Sequence, residues 1–130
     1  MGNPVDRYKG GLMVDRGALT LNGRVISEGV QELTASGAVN PYTQSVELNH
    51  ATVIVAATIA DATKHQGLFI VKDTSATGVI EHTLTLGGSY TFDGTNNTAT
   101  FNAPGEALIV YFDSTGNGVI VENIGAVALS

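Results

Sequence analysis

The chain has 130 residues, with six Lys and Arg against twelve Asp and Glu and a formal net charge of −6. Hydrophobic residues make up 43% and charged residues 14%, enough apolar material for one domain with its own core and too much for a disordered chain. The absence of cysteine excludes disulfides and thiolate metal sites, the acidic balance opposes nucleic-acid phosphates, and the longest apolar run, residues 51–60, is too short to span a bilayer.

Charge divides the chain in two. Residues 1–27 carry Arg7, Lys9, Arg16 and Arg24 against Asp6 and Asp15, whereas residues 28–130 carry ten acids against Lys64 and Lys72. A basic, glycine-dotted segment ahead of an acidic body suits an arm that docks elsewhere. "MGNPVDRYKGG" has no apolar run of the kind a secretory leader needs. The expectation is synthesis and assembly in a cytoplasm. "LMVDRGALTLNGRVI" (12–26) places two apolar runs around an Asn22-Gly23 turn signal. It reads as a hairpin, or as an arm that orders on a partner. Residues 27–39 hold two glycines that break any helix, and a first body strand is expected near Gln31–Thr34.

From Tyr42 onward strands recur between turns. "SVELNH" (45–50) alternates, with Val46 and Leu48 on one face. "ATVIVAATIA" (51–60) is a β-branched run and reads as a buried strand. "DATKHQG" (61–67) is a polar or single helical turn, and "LFIVKD" (68–73) a second buried strand. "VIEHTLTLGG" (79–88) alternates late. "SYTFDGTNNTATFNAPG" (89–105) reads as two strands about an Asp-Gly turn, with Tyr90 and Phe92 facing Ala99 and Phe101. "EALIVYFD" (106–113), "STGNG" (114–118) and "VIVENIG" (119–125) form a closing hairpin. Gly/Asn/Asp turns every 8–12 residues or so give an all-β fold: an antiparallel β-sandwich, jelly-roll-like, or a barrel. The extended N-terminal arm or hairpin takes residues 1–30 and the sandwich residues 31–130.

Chemistry is sparse. His50, His65 and His82 each stand alone in sequence, and Glu81 beside His82 faces the opposite side of a strand. Only folding can bring His50 and His82 together. Asp93, Asn96 and Asn97 lack the spacing of a calcium loop. Glu47, Glu81 and Glu106 are carboxylates without a spacing that singles out a pair. The reading is a non-enzymatic chain without catalytic residues, metal or cofactor. Tyr111 and Phe112 are strand neighbours, so one points out. Leu108, Val110, Val119 and Val121 are core or interface positions. A hairpin at the chain's end also leaves an edge open to other chains.

Three stretches carry a family resemblance: "SVELNHATVIVAATIADATKHQGLFIVKDTSA", "HTLTLGGSYTFDGTNNTATFNAPGEALIVYFD" and "GNGVIVENIGAVALS". In this texture the chain resembles the small β-rich domains of tailed-bacteriophage virion proteins, found in head decoration or cement proteins, head fibres and tail-fibre segments. The resemblance implies a virion structural protein and a homotrimer. Its partner would be the major capsid protein or another virion protein, with neither nucleic acid nor membrane involved. Under it, Arg7, Tyr8, Lys9 and Arg16 are the arm contacts to the capsid, and Tyr111, Val119 and Val121 the subunit interface. The alternative is a fibre or adhesin domain whose exposed Tyr42, Tyr90 or Tyr111 stacks on a host glycan.

Overall fold

The computed structural model describes residues 18–21, 24–27 and 29–130. Twelve strands occur among them. β1 (Ala18–Leu21) and β2 (Arg24–Ser27) pair antiparallel, with Leu21 opposite Arg24.

The body is built by alternation. β3 (Gln31–Leu33), β5 (Ser45–Leu48), β7 (Gly67–Asp73), β10 (Ala107–Phe112) and β11 (Gly118–Ile124) form one sheet in the order β11-β10-β7-β5-β3. β4 (Gly37–Ala38), β6 (Ala56–Ile59), β8 (His82–Leu86), β9 (Thr98–Phe101) and β12 (Ala128–Leu129) form the second, in the order β12-β9-β8-β6-β4. Each strand turns every second side chain inward. Val46, Leu48, Phe69, Val71, Leu108, Val110 and Phe112 from the first sheet meet Ala57, Ile59, Leu84, Leu86, Ala99 and Phe101 from the second. All of these are buried, and together with Phe92 they form one core. Phe112 lies between Phe69 and Phe92, at centroid distances of 5.8 and 6.4 Å.

The all-β, two-sheet sandwich expected from the sequence is the fold observed. Its pairing is mixed. The antiparallel expectation holds for β7–β10, β10–β11, β8–β9 and β9–β12, but β3–β5, β5–β7, β4–β6 and β6–β8 are parallel. The chain crosses from one sheet to the other after every strand from β3 to β7, so its first half winds as a coil. Each parallel pair is bridged by a strand of the opposite sheet, which supplies the long crossover that parallel pairing demands without any helix. The β8–β9 hairpin then reverses the chain, and β10–β11 reverses it again. The barrel alternative does not hold, because each sheet has open edges, at β11 and β3 and at β12 and β4.

Three local expectations are corrected. In the run 51–60 only Ala56–Ile59 is strand, and Thr52, Val53 and Ile54 are exposed. The Thr52 and Val53 amides donate to Nδ1 of His50, which turns the chain at the corner. "LFIVKD" is buried on one side only, with Leu68 and Ile70 exposed. Tyr90 and Phe92 form no strand. β9 pairs instead with β8, placing His82 opposite Phe101.

Candidate functional site

Two features stand out: the outer face of the first sheet and a buried polar cluster at one corner.

The outer faces of the two sheets differ in chemistry. On the second, cross-strand rows read Thr58–Thr85–Thr98 and Ala56–Thr83–Thr100–Ala128. Thr85 and Thr98 hydroxyls stand 3.2 Å apart. Threonine suits a strand that meets water, since it is β-branched and hydrogen-bonding. On the first sheet, Tyr111 pairs with both Val119 and Leu68, and Ile109 pairs with Ile70. Val121 is unpaired in a β-bulge, because Ile109 faces Glu122 while Val110 faces Ile120. Val119 is 63% exposed, Leu68 57%, Val121 54% and Tyr111 48%. A solvated antiparallel face is expected to carry polar residues at these positions. Among the described residues, the charges near this patch are Glu122, opposite Ile109 on the edge strand, and the cross-strand pair Glu47–Lys72. A contiguous apolar patch of this kind is a candidate contact surface.

The polar cluster joins Asp73, Ser75 and His82. Asp73 and His82 are fully buried, with Oδ1 3.7 Å from Nε2. The Ser75 hydroxyl lies 3.3 Å from the same Nε2 and accepts the His50 amide at 2.8 Å. Folding thus brings His50 and His82 together through Ser75. On the other side of the ring, Nδ1 of His82 accepts the Val55 amide at 3.0 Å. In the neutral ring the proton therefore sits on Nε2. A hydrolytic triad needs serine and aspartate on opposite ring nitrogens; here both face Nε2. The arrangement ties corners together. Asp73 accepts the Ser75 and Ala76 amides, and Glu106, also buried, accepts those of Asn102 and Ala103. The Asn123 side chain bridges the amide and carbonyl of Val127.

The opposite corners use aspartates. Asp61 accepts the Thr63 hydroxyl and amide and the Tyr90 hydroxyl. Asp93 takes the amides of Thr95 and Asn96, and Asp113 those of Thr115 and Asn117. These bonds hold all three carboxyls below the usual range, led by the Thr63 hydroxyl at Asp61, the Asn96 amide at Asp93 and the Thr115 hydroxyl at Asp113. Burial pushes His65 down, against its hydrogen bond to the Thr43 carbonyl.

Of the sequence-derived positions, Tyr111, Val119 and Val121 come together on the apolar face, and Leu108 and Val110 lie in the core. Arg7, Tyr8, Lys9 and Arg16 lie outside the described residues. The glycan-stacking tyrosines are not equivalent: Tyr90 packs against the core and Gly116 and donates its hydroxyl to Asp61, whereas Tyr42 lies under the Lys64 ammonium, 5.5 Å from its ring centre. Glu106 is spent on corner amides, and Glu81 is exposed. Leu68 and Ile70 were missed as surface residues. The signal was the unbroken run Leu68-Phe69-Ile70-Val71, apolar at both parities of a strand. Among the described residues no group of three or more His, Cys, Asp or Glu is placed to hold a metal, and no helix is long and apolar enough to cross a membrane. No protein-family model and no curated protein matches the chain.

Proposed function

We propose that this chain is a structural protein of a tailed-bacteriophage virion, a decoration or cement protein that binds the head surface as a homotrimer and stabilises the capsid. The observation that carries the reading is the apolar outer face of the β11-β10-β7 sheet. On an acidic, charge-poor chain it favours permanent assembly over life as a free monomer. The resemblance of the three sequence stretches supplies the virion. The work is mechanical: burial of surface between copies and against the capsid stabilises the lattice by mass action, with no turnover. The basic residues Arg7, Lys9 and Arg16, with Tyr8, are the contacts to the capsid, and they lie in a segment opposite in charge to the body.

The test is attachment. Heads of the particle that carries this protein, stripped of it, are mixed with the full chain or with a chain lacking residues 1–27, and bound protein is measured after sedimentation. The expected result is saturable binding by the full chain, heads that resist heating better, and loss of binding on truncation. Heads that ignore the full chain would sink the reading. A glycan array offers the counter-test, because strong glycan binding without head binding favours the fibre or adhesin alternative.

A further inference from the structure

We infer that the face formed by Leu68, Ile70, Tyr111, Val119, Val121 and Ile124 is where copies of this chain meet, three copies turning it inward about one axis. The inference rests on the trimeric reading above for the number of copies, and on the sheet itself for the place.

Four observations choose a second copy as the occupant. First, the exposed parts of these residues come to on the order of 500 Å², in the upper range of the largest patch a monomer displays and short of the roughly 800 Å² that one partner gives to a standard interface, so the contact takes in surface around these six side chains as well. Second, charge selects the partner. Each copy carries a formal −6, so two copies repel wherever acidic surfaces meet. Like-charged copies can close where apolar side chains outnumber charges, and on the β11-β10-β7 face the charges are Glu122, opposite Ile109, and Lys72, which pairs with Glu47 on β5. A cationic partner would be steered to the acidic surface instead. Third, the other broad face is threonine-lined and already suits water, so only one face needs cover. Fourth, Leu68 and Val119 flank Tyr111 in register on adjacent strands, a rigid aromatic anchor between aliphatic neighbours, as interface centres have.

The experiment measures native mass and surface protection on the full chain. The wild type is expected at three times 13.4 kDa. Leu68→Glu combined with Val119→Asp is expected at 13.4 kDa with unchanged far-UV circular dichroism, since both side chains are more exposed than buried. Thr58→Asp, on the exposed threonine face, is expected to keep the trimer mass. Hydroxyl-radical footprinting of the wild type needs no substitution and decides the matter if the double variant fails to fold. Tyr111 is 48% and Tyr42 37% exposed in the single chain. Slower oxidation of Tyr111 than of Tyr42 supports the interface; oxidation of Tyr111 at or above the Tyr42 rate overturns it. A trimer that survives the double charge substitution, or a wild type that runs as a monomer, also overturns it. A monomer that still binds heads removes the trimer and this interface and leaves attachment to the virion standing.

Discussion

Replacing His82 by leucine should cost far more stability than replacing His50 by leucine, although both rings do the same job. Each uses Nδ1 to accept corner amides: Val55 at 3.0 Å for His82, Thr52 and Val53 at 3.1 and 3.0 Å for His50. The difference is water. Val55 and His82 are fully buried, so in His82→Leu the Val55 amide is left without a partner, at about 1–3 kcal/mol. The Ser75 contact goes as well, and so does the ring beside the Asp73 carboxylate, adding roughly 1 kcal/mol. Leucine fills most of the ring's volume, so the cavity term is small. The expected total is about 2–4 kcal/mol. In His50→Leu the Thr52 and Val53 amides sit on exposed residues and turn to water, so the loss is about 0–1 kcal/mol.

Urea unfolding followed by circular dichroism reads this directly. With a slope of about 2 kcal/mol/M, the midpoint should fall by roughly 1–2 M for His82→Leu and by less than about 0.5 M for His50→Leu. All proteins are compared at one concentration, because an oligomer's apparent stability depends on it. Equal midpoints for the two variants would refute the idea that buried corner amides, rather than histidine packing in general, set the stability of this edge.

Two further outcomes follow from the geometry. Gly118→Ala should destabilise by about 1–3 kcal/mol, because a Cβ there would stand 2.6 Å from the Phe92 carbonyl and 2.8 Å from that of Thr91; Gly37→Ala, with open space around it, should shift the urea midpoint little. Stability should also fall as pH drops below 6.5, the ordinary value for histidine. Burial lowers the folded-state value of His65, so the unfolded chain binds the extra proton first and stability rises with pH between the folded value and 6.5. His65→Gln should flatten midpoints measured across that interval. A second loss, from Asp61, Asp93 and Asp113, belongs below the ordinary carboxyl value of 3.8, because their folded values are lowered and their contribution disappears as they protonate.

Much of the fold was legible because alternation is a local signal. The strands at Ser45–Leu48 and His82–Leu86 stood where apolar residues recur at every second position, and those at Ala107–Phe112 and Gly118–Ile124 where apolar runs flank a Gly/Asn turn. Which strands pair was not legible. The same alternation serves a parallel and an antiparallel neighbour, and the choice is made by connections such as residues 49–66, whose path depends on side chains distant in sequence. Val55 is held by His82 and the His50 amide by Ser75, separations of 27 and 25 residues. Those bonds turn the chain from sheet to sheet, and no local motif announces them. The apolar face was half legible: Tyr111, Val119 and Val121 were visible in the terminal hairpin, while Leu68 and Ile70 were absorbed into a run that looked buried throughout.

The open ends of the two sheets sharpen where association can occur. A stack of strands invites growth along its hydrogen-bonding direction, since every edge strand presents unpaired backbone groups. Here β3 has three residues, and β4 and β12 two each, too short to template a partner well. The one long edge, β11 with seven residues, carries the bulge at Val121, which breaks its register and increases its twist. The closing hairpin had first suggested subunit contact through its free edge. The bulge blunts that edge, while Val119 and Val121 are exposed beside Tyr111 on the outer surface proposed above as the contact. Edges guarded in this way disfavour growth along the hydrogen-bonding direction, and the trimer proposed above would instead form through the broad apolar face.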